Sequence, residues 1–142
     1  MATIRKEITA TAKPDQIWAA IQDIGALHTR LVPGFVIDTK LEPGARIVTF
    51  ANGITVRERI VTIDDQAKRL VWSVVSERFT HHNGSLQVFV NADGETNVVW
   101  IADLLPDEAA GMSSQIMDHG MSAMKTALDV HRRPQANENV FR

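Results

Sequence analysis

The chain contains no cysteine. That excludes disulfides, thiolate metal sites and a cysteine nucleophile, and it fits a reducing compartment. No uncharged apolar run approaches the roughly 18 residues of a membrane span. Neither sign of charge dominates: the formal net charge is −2 over 142 residues, with both signs dispersed. A basic footprint for nucleic acid is therefore missing. The N-terminus MATIRKEITATAKPDQIW carries Arg5, Lys6, Glu7, Lys13 and Asp15 and no apolar stretch, which is not the pattern of a signal peptide. There is also no nucleophile elbow, glycine-rich phosphate loop or dinucleotide fingerprint. These absences leave a soluble, cytoplasmic protein with no implied cofactor.

What is present is an ordinary globular composition, 44% hydrophobic and 23% charged. The length suits one domain with a sizeable core, placed at 1–133, followed by a polar tail at 134–142. The organising stretch is Pro106 to Arg133. Pro106 suits the first helical position, Asp107 and Glu108 the first turn, Arg132 and Arg133 the last, and Pro134 a stop. At 100° per residue, Ala110, Met112, Ile116, Met117, Gly120, Met121, Ala123, Met124, Ala127 and Leu128 share about half the wheel. Such a stripe is too wide for a coiled-coil seam and wants a broad concave partner. Met112, Met117, Met121 and Met124 make it soft and adaptable, whether as plain core or as the wall of an apolar pocket.

Before this helix, residues 3 to 11 read as a strand with Ile4 and Ile8 on one face. Pro14 opens a short helix that buries Ile17, Trp18 and Ile21; a second short helix is expected over Ala26 to Leu31. Six strands with turn signals between them follow: Phe35 to Lys40, Ala45 to Ala51, Ile54 to Ile63, Leu70 to Val75, Thr80 to Val90 and Thr96 to Leu104. The order predicts an α+β domain: an antiparallel meander with its helices on one face.

Asn52-Gly53 predicts a two-residue type I′ hairpin pairing Thr49 with Val56 and Ile47 with Glu58. Cross-strand partners share a face. Arg46, Val48, Phe50, Arg57 and Arg59 are thus expected to face water, while Glu58 points inward among aliphatic residues. Pairing Ile60 with Trp72 puts Leu70, Trp72 and Val74 on the same inner face. Pairing Val88 with Val98 and Leu86 with Trp100 adds those four, and alternation adds Gly84 and His82. Phe89, Val99 and Ile101 are left outside.

An inward carboxylate is costly unless paired or protonated. Glu58 is therefore either a polar anchor or general acid/base in an apolar cavity, or one half of a buried pair, with His82, His28, Arg30 and Arg78 as candidate partners. The five histidines show no metal-ligand spacing, and no metal site is expected. Gly120 lies on the buried stripe, where a glycine costs about 1 kcal/mol relative to alanine. Either a close approach of the sheet or room for a ligand explains it.

The phrases ITATAKPDQIWAAIQDIGALHTRLVPG, VRERIVTIDDQAKRLVWSV and GETNVVWIADLLPDE, in that order before a C-terminal helix, resemble the START/Bet v 1-like (SRPBCC) superfamily. More narrowly they resemble its bacterial polyketide cyclase/dehydrase-like members. The resemblance implies a helix-grip fold, a seven-stranded antiparallel sheet curled around the long C-terminal helix. It also implies a deep cavity that takes hydrophobic molecules such as lipids, sterols or polyketides.

Three functions follow as expectations. The first is binding of a small hydrophobic molecule by Glu58, Trp72, Val74, His82, Leu86, Trp100, Met117, Gly120, Met121 and Met124. The second is a cyclase- or dehydratase-type enzyme using Glu58 as its acid/base on an enolisable carbonyl. The third is a protein-interaction module with a filled core, whose outer apolar residues Phe89, Val99 and Ile101 meet a partner or form a homodimer.

Overall fold

The computed structural model describes residues 1–130. Strand β1 (Ala2–Ala10) alternates sheltered and exposed side chains along its length. Helix α1 (Pro14–Gln22) follows, with Pro14 at its start and Ile17, Trp18, Ala20 and Ile21 buried. The Gln16 side chain accepts the Lys13 backbone N–H at 3.1 Å, satisfying one donor ahead of the first turn. The expected second helix is two tighter and looser turns instead. A 3₁₀ turn spans Ile24–Ala26 and a π-helical turn Leu27–Leu31, which buries Leu27 and Leu31.

Six further strands complete the sheet: β2 (Val36–Glu42), β3 (Ala45–Phe50), β4 (Thr55–Asp64), β5 (Arg69–Val75), β6 (His81–Val90) and β7 (Thr96–Leu105). The seven strands lie in the order β1-β7-β6-β5-β4-β3-β2, and every paired neighbour is antiparallel. This is the expected α+β helix-grip. The long helix α2 (Ala110–Val130) starts later than expected, because Pro106 is extended and precedes a 3₁₀ turn at Asp107–Ala109. Arg132, Arg133, Pro134 and the predicted tail lie outside the described residues.

Helix α2 is pinned along one flank. Lys6 pairs with Asp118 at 2.9 Å, Lys125 donates to the Thr9 carbonyl at 2.7 Å, and the Thr11 backbone N–H donates to Asp129 at 3.1 Å. All three ties run to β1 or to the residue just beyond it, at one edge of the sheet. Met121, Met124 and Leu128 of the helix enter the core with Ile17, Ile21, Leu31, Leu70, Leu86 and Val98. Among the described residues, no comparable tie joins α2 to strands β2 through β6.

The β6–β7 register is as expected, with Val88 opposite Val98 and Leu86 opposite Trp100. So is β4–β5, where Ile60 faces Trp72 and Glu58 faces Val74. The β3–β4 hairpin differs by one residue. Arg46 pairs with Glu58 and Val48 with Val56. Phe50 N–H bonds to the Ile54 carbonyl at 2.8 Å, so the loop holds three residues, Ala51, Asn52 and Gly53. Of these only Gly53 has positive φ, at 89°, the residue type and position a three-residue loop asks for. The Asn52 side chain accepts the Ile54 N–H at 3.0 Å and the Ala51 N–H goes to the Phe35 carbonyl at 3.0 Å, which completes the loop's bonding. One residue of slip turns a whole strand over. Arg46, Val48 and Phe50, expected outside, are therefore on the inner face.

Candidate functional site

The strand directions bring the segments 33–35, 51–54 and 76–79 to one end of the sheet, beside the start of α2. Between them opens a cavity of about 1110 Å³, roofed by α2 and floored by the sheet's inner face. Phe35, Phe50, Val56, Trp72, Val74 and Trp100 line the sheet side. Met112, Ile116 and Met117 line it from the helix. The core is thus not filled, which corrects the expectation attached to an interaction module. Of that module's proposed outer patch, Val99 is buried and Phe89 exposed.

At the cavity floor, Arg46 Nε donates to Glu58 Oε1 at 2.8 Å, with side chains only 3% and 8% exposed. Arg46 Nη1 also donates to the Ile24 carbonyl at 3.3 Å, and its guanidinium carbon lies 5.7 Å from the centre of the Trp72 ring. The carboxylate is therefore satisfied by the charge and hydrogen bond of Arg46, itself steadied by a cation–π neighbour, rather than by any of the four partners expected from the sequence. His28 bonds Thr39 instead, and Arg30 bonds Asp23. Arg78 and His82 do line the cavity but make no ion pair with Glu58.

Two polar atoms in the same walls behave differently. The indole N–H of Trp100 and Nδ1 of His82 are buried without a hydrogen-bond partner among the described residues. Trp18, by contrast, donates its indole N–H to Asp65 at 3.0 Å. Burial pushes the His82 imidazole below its usual pKa of 6.5; its own backbone carbonyl partly opposes this and neighbouring His81 adds to it. The ring packs edge-on against Phe79, with centroids 4.7 Å apart.

Two glycines shape the aromatic floor. A Cβ on Gly84 would stand 2.5 Å from the Trp72 ring, so only glycine lets that indole lie against β6. A Cβ on Gly120 would stand 2.7 Å from the Trp100 ring and 3.1 Å from that of Phe35. Close packing of the helix on these rings is thus the reason for Gly120. Trp72 and Trp100 meet with centroids 6.4 Å apart and planes tilted by 52°.

A family model described as polyketide cyclase / dehydrase and lipid transport matches residues 1–129. The chain belongs to this family. No curated protein matches it. Solved structures place the family member within the START/Bet v 1 fold. The protein XoxI from Bacillus cereus is 22% identical, with 90% of this chain and 96% of that one covered and a TM-score of 0.79. A START superfamily protein from Mycobacterium smegmatis is 10% identical, covers 94% and 98%, and has a TM-score of 0.70. The ginseng major latex-like protein 151 from Panax ginseng is 14% identical, covers 89% and 97%, and has a TM-score of 0.71.

Within this family member, Glu58, Trp72, Val74, His82, Trp100 and Met117 border the cavity together, as expected from the inward face of the strands and the helix stripe. Leu86 and Met124 border a smaller adjoining void of about 50 Å³ beside the Arg46–Glu58 pair. Gly120 and Met121 are buried behind the wall, not on it. Sequence reasoning missed Arg46 and Phe50 as inner residues, and the signal was available. Asn-Gly also fits a three-residue loop with glycine in the left-handed position, and that register would have turned both inward. Among the described residues, no three His, Asp or Glu side chains come together as metal ligands, and no helix is long and apolar enough to cross a membrane.

Proposed function

We propose that the chain binds a small, largely apolar molecule between the sheet and the open half of α2. One observation carries this reading. Met112 and Ile116 are 63% and 36% exposed, and both line the cavity. Apolar side chains wetted inside a concave site release about 25 cal/mol for each Å² that a ligand covers. A cavity with apolar walls and few polar groups is the usual form of a small-molecule site. The family's description, which includes lipid transport, supports the same reading.

In this reading Trp72, Val74, Trp100 and Met117 contact the ligand body, and His82 meets its end nearest the mouth. Leu86 and Met124 border the inner void, while Gly120 and Met121 hold the wall in place. Glu58 serves as the partner of Arg46 rather than as an acid/base. Its Oε1 accepts a charge-assisted bond from Arg46 Nε at 2.8 Å.

Native mass spectrometry of the freshly purified protein, with solvent extraction of what it carries, tests the proposal alongside titration with the neutral dye N-phenyl-1-naphthylamine. A co-purifying apolar molecule, or saturable dye fluorescence displaced by such a molecule, is the expected result. A bare protein that also fails to take up the dye rejects the reading.

A further inference from the structure

The rings of Phe35, Phe50, Trp72 and Trp100 border the cavity on one side and the inner void of about 50 Å³ on the other. Beyond the void stand buried core residues, among them Leu31, Val36, Leu86 and Met124. Three of the rings are carried by strands: Phe50 by β3, Trp72 by β5 and Trp100 by β7. Phe35 is different. It lies in the turn ahead of β2, next to Gly34 with its φ of 87°, and its backbone bonds to Val32 and Ala51. Its ring crosses the gap between sheet and helix. On the sheet side it meets Phe50 edge-on, with centroids 5.4 Å apart. On the helix side its edge lies 3.1 Å from where a Cβ on Gly120 would stand, and Trp100 closes against the same glycine at 2.7 Å.

A ring that touches both layers is a partition between the two spaces. Behind it the lining is apolar apart from Arg46 and Glu58, which are bonded to each other, and an apolar void of this kind stays dry. Its walls forfeit dispersion contacts that ligand atoms would restore if they could pass the ring. We propose that Phe35 is the depth-setting residue of the cavity. Its ring, closed between Phe50 and Gly120, ends the space open to a ligand and so fixes the length of apolar chain that the site accepts. This rests on the proposed ligand-binding reading and adds to it a selection by length. Because Phe35 stands on a turn, shortening its side chain removes no strand pairing.

Straight-chain alkylbenzenes from butylbenzene to dodecylbenzene test it, each titrated against bound N-phenyl-1-naphthylamine. Such a molecule has an inner end whichever way round it enters, so the result does not depend on orientation. In the unmodified protein, affinity should rise about fourfold per added methylene and level off at one chain length. In Phe35→Ala the rise should continue for about two further methylenes, so that the longer chains bind about tenfold more tightly than in the unmodified protein.

The methionines supply a second readout that needs no variant. Met112 and Met117 line the cavity, whereas Met124 borders the void and not the cavity. With ¹³C-labelled methionine methyl groups, nuclear Overhauser effects from bound hexylbenzene should reach Met112 and Met117 but not Met124. A bound chain that contacts Met124 in the unmodified protein overturns the inference and leaves apolar binding intact. So does an affinity series that levels off at the same chain length with and without Phe35→Ala. Failure of every alkylbenzene and of the dye to bind rejects the underlying reading as well. The methionine contacts decide the matter even where the variant folds poorly.

Discussion

Arg46 and Glu58 stand opposite each other on β3 and β4 and are joined by a 2.8 Å bond from Nε to Oε1, both almost wholly buried. The Arg46 guanidinium carbon lies 5.7 Å from the centre of the Trp72 ring, and Glu58 borders the cavity. Removing one member leaves the other charged and unpaired. Arg46→Ala is expected to destabilise the fold by about 3–5 kcal/mol. Replacing both, as in Arg46→Met with Glu58→Leu, should recover most of that loss, because two desolvation costs disappear together. Urea unfolding of the two single variants and the double variant reads the difference; a double variant no more stable than Arg46→Ala contradicts it.

The two helical glycines should respond in opposite directions to alanine. At Gly111 a Cβ would meet nothing within 4 Å, so Gly111→Ala should stabilise α2 by about 0.5–1 kcal/mol. Gly120→Ala drives a Cβ into the Trp100 ring and should cost about 1–3 kcal/mol. Thermal unfolding midpoints that move the same way for both variants would count against the packing described for Gly120.

Gly84→Ala tests the floor itself. Its new Cβ meets the body of the Trp72 ring at 2.5 Å, and a fused ring held by neighbours must tilt as a whole. A loss of about 1–3 kcal/mol is expected. Changed near-ultraviolet circular dichroism should accompany it, since Trp72 and Trp100 are in contact. An unchanged aromatic spectrum shows that the ring had room.

As an exposed residue of the cavity lining, Met112 should be a binding residue with little structural weight. Because it is 63% exposed, Met112→Glu is expected to change stability by no more than about 0.5 kcal/mol. A carboxylate set against an apolar ligand should weaken N-phenyl-1-naphthylamine binding about tenfold. Unaltered dye affinity places the apolar site elsewhere.

His82 predicts a pH dependence whose sign follows from its burial. The folded-state pKa lies below the 6.5 of the free side chain, so the unfolded chain takes up this proton first as pH falls. The stability this group contributes is complete above about pH 6.5 and is lost progressively below it, down through the folded pKa. Urea midpoints measured between about pH 7.5 and 5.5 should therefore fall, and His82→Phe should flatten the slope. An identical slope in the variant assigns the effect to other groups.

Much of the architecture was legible along the chain. Pro14, Asp15 and Gln16 announce α1, alternation marks the strands, and the broad apolar stripe of α2 requires a concave sheet. The β4–β5 and β6–β7 registers followed from matching apolar residues across each pair. The β3–β4 register did not, because Asn52-Gly53 serves both two-residue and three-residue loops, and alternation in β3 offers Ile47 on one face against Val48 on the other. Arg46 was misplaced for that reason, and with it the partner of Glu58.

By itself, then, the sequence determined the element order, the antiparallel meander, the inward set Glu58, Trp72, Trp100 and His82, and the absence of thiol chemistry. These are local properties: side-chain period, turn chemistry and composition act over a few residues. Only the tertiary structure decided that Arg46 neutralises Glu58, that Gly120 serves packing, and that the start of α2 stands off the sheet to leave a cavity. Those outcomes depend on how far apart two distant elements settle. That distance is set by the ties along β1, the bulk of Trp72 and Trp100 and one residue of hairpin register, none of which is a property of any single segment.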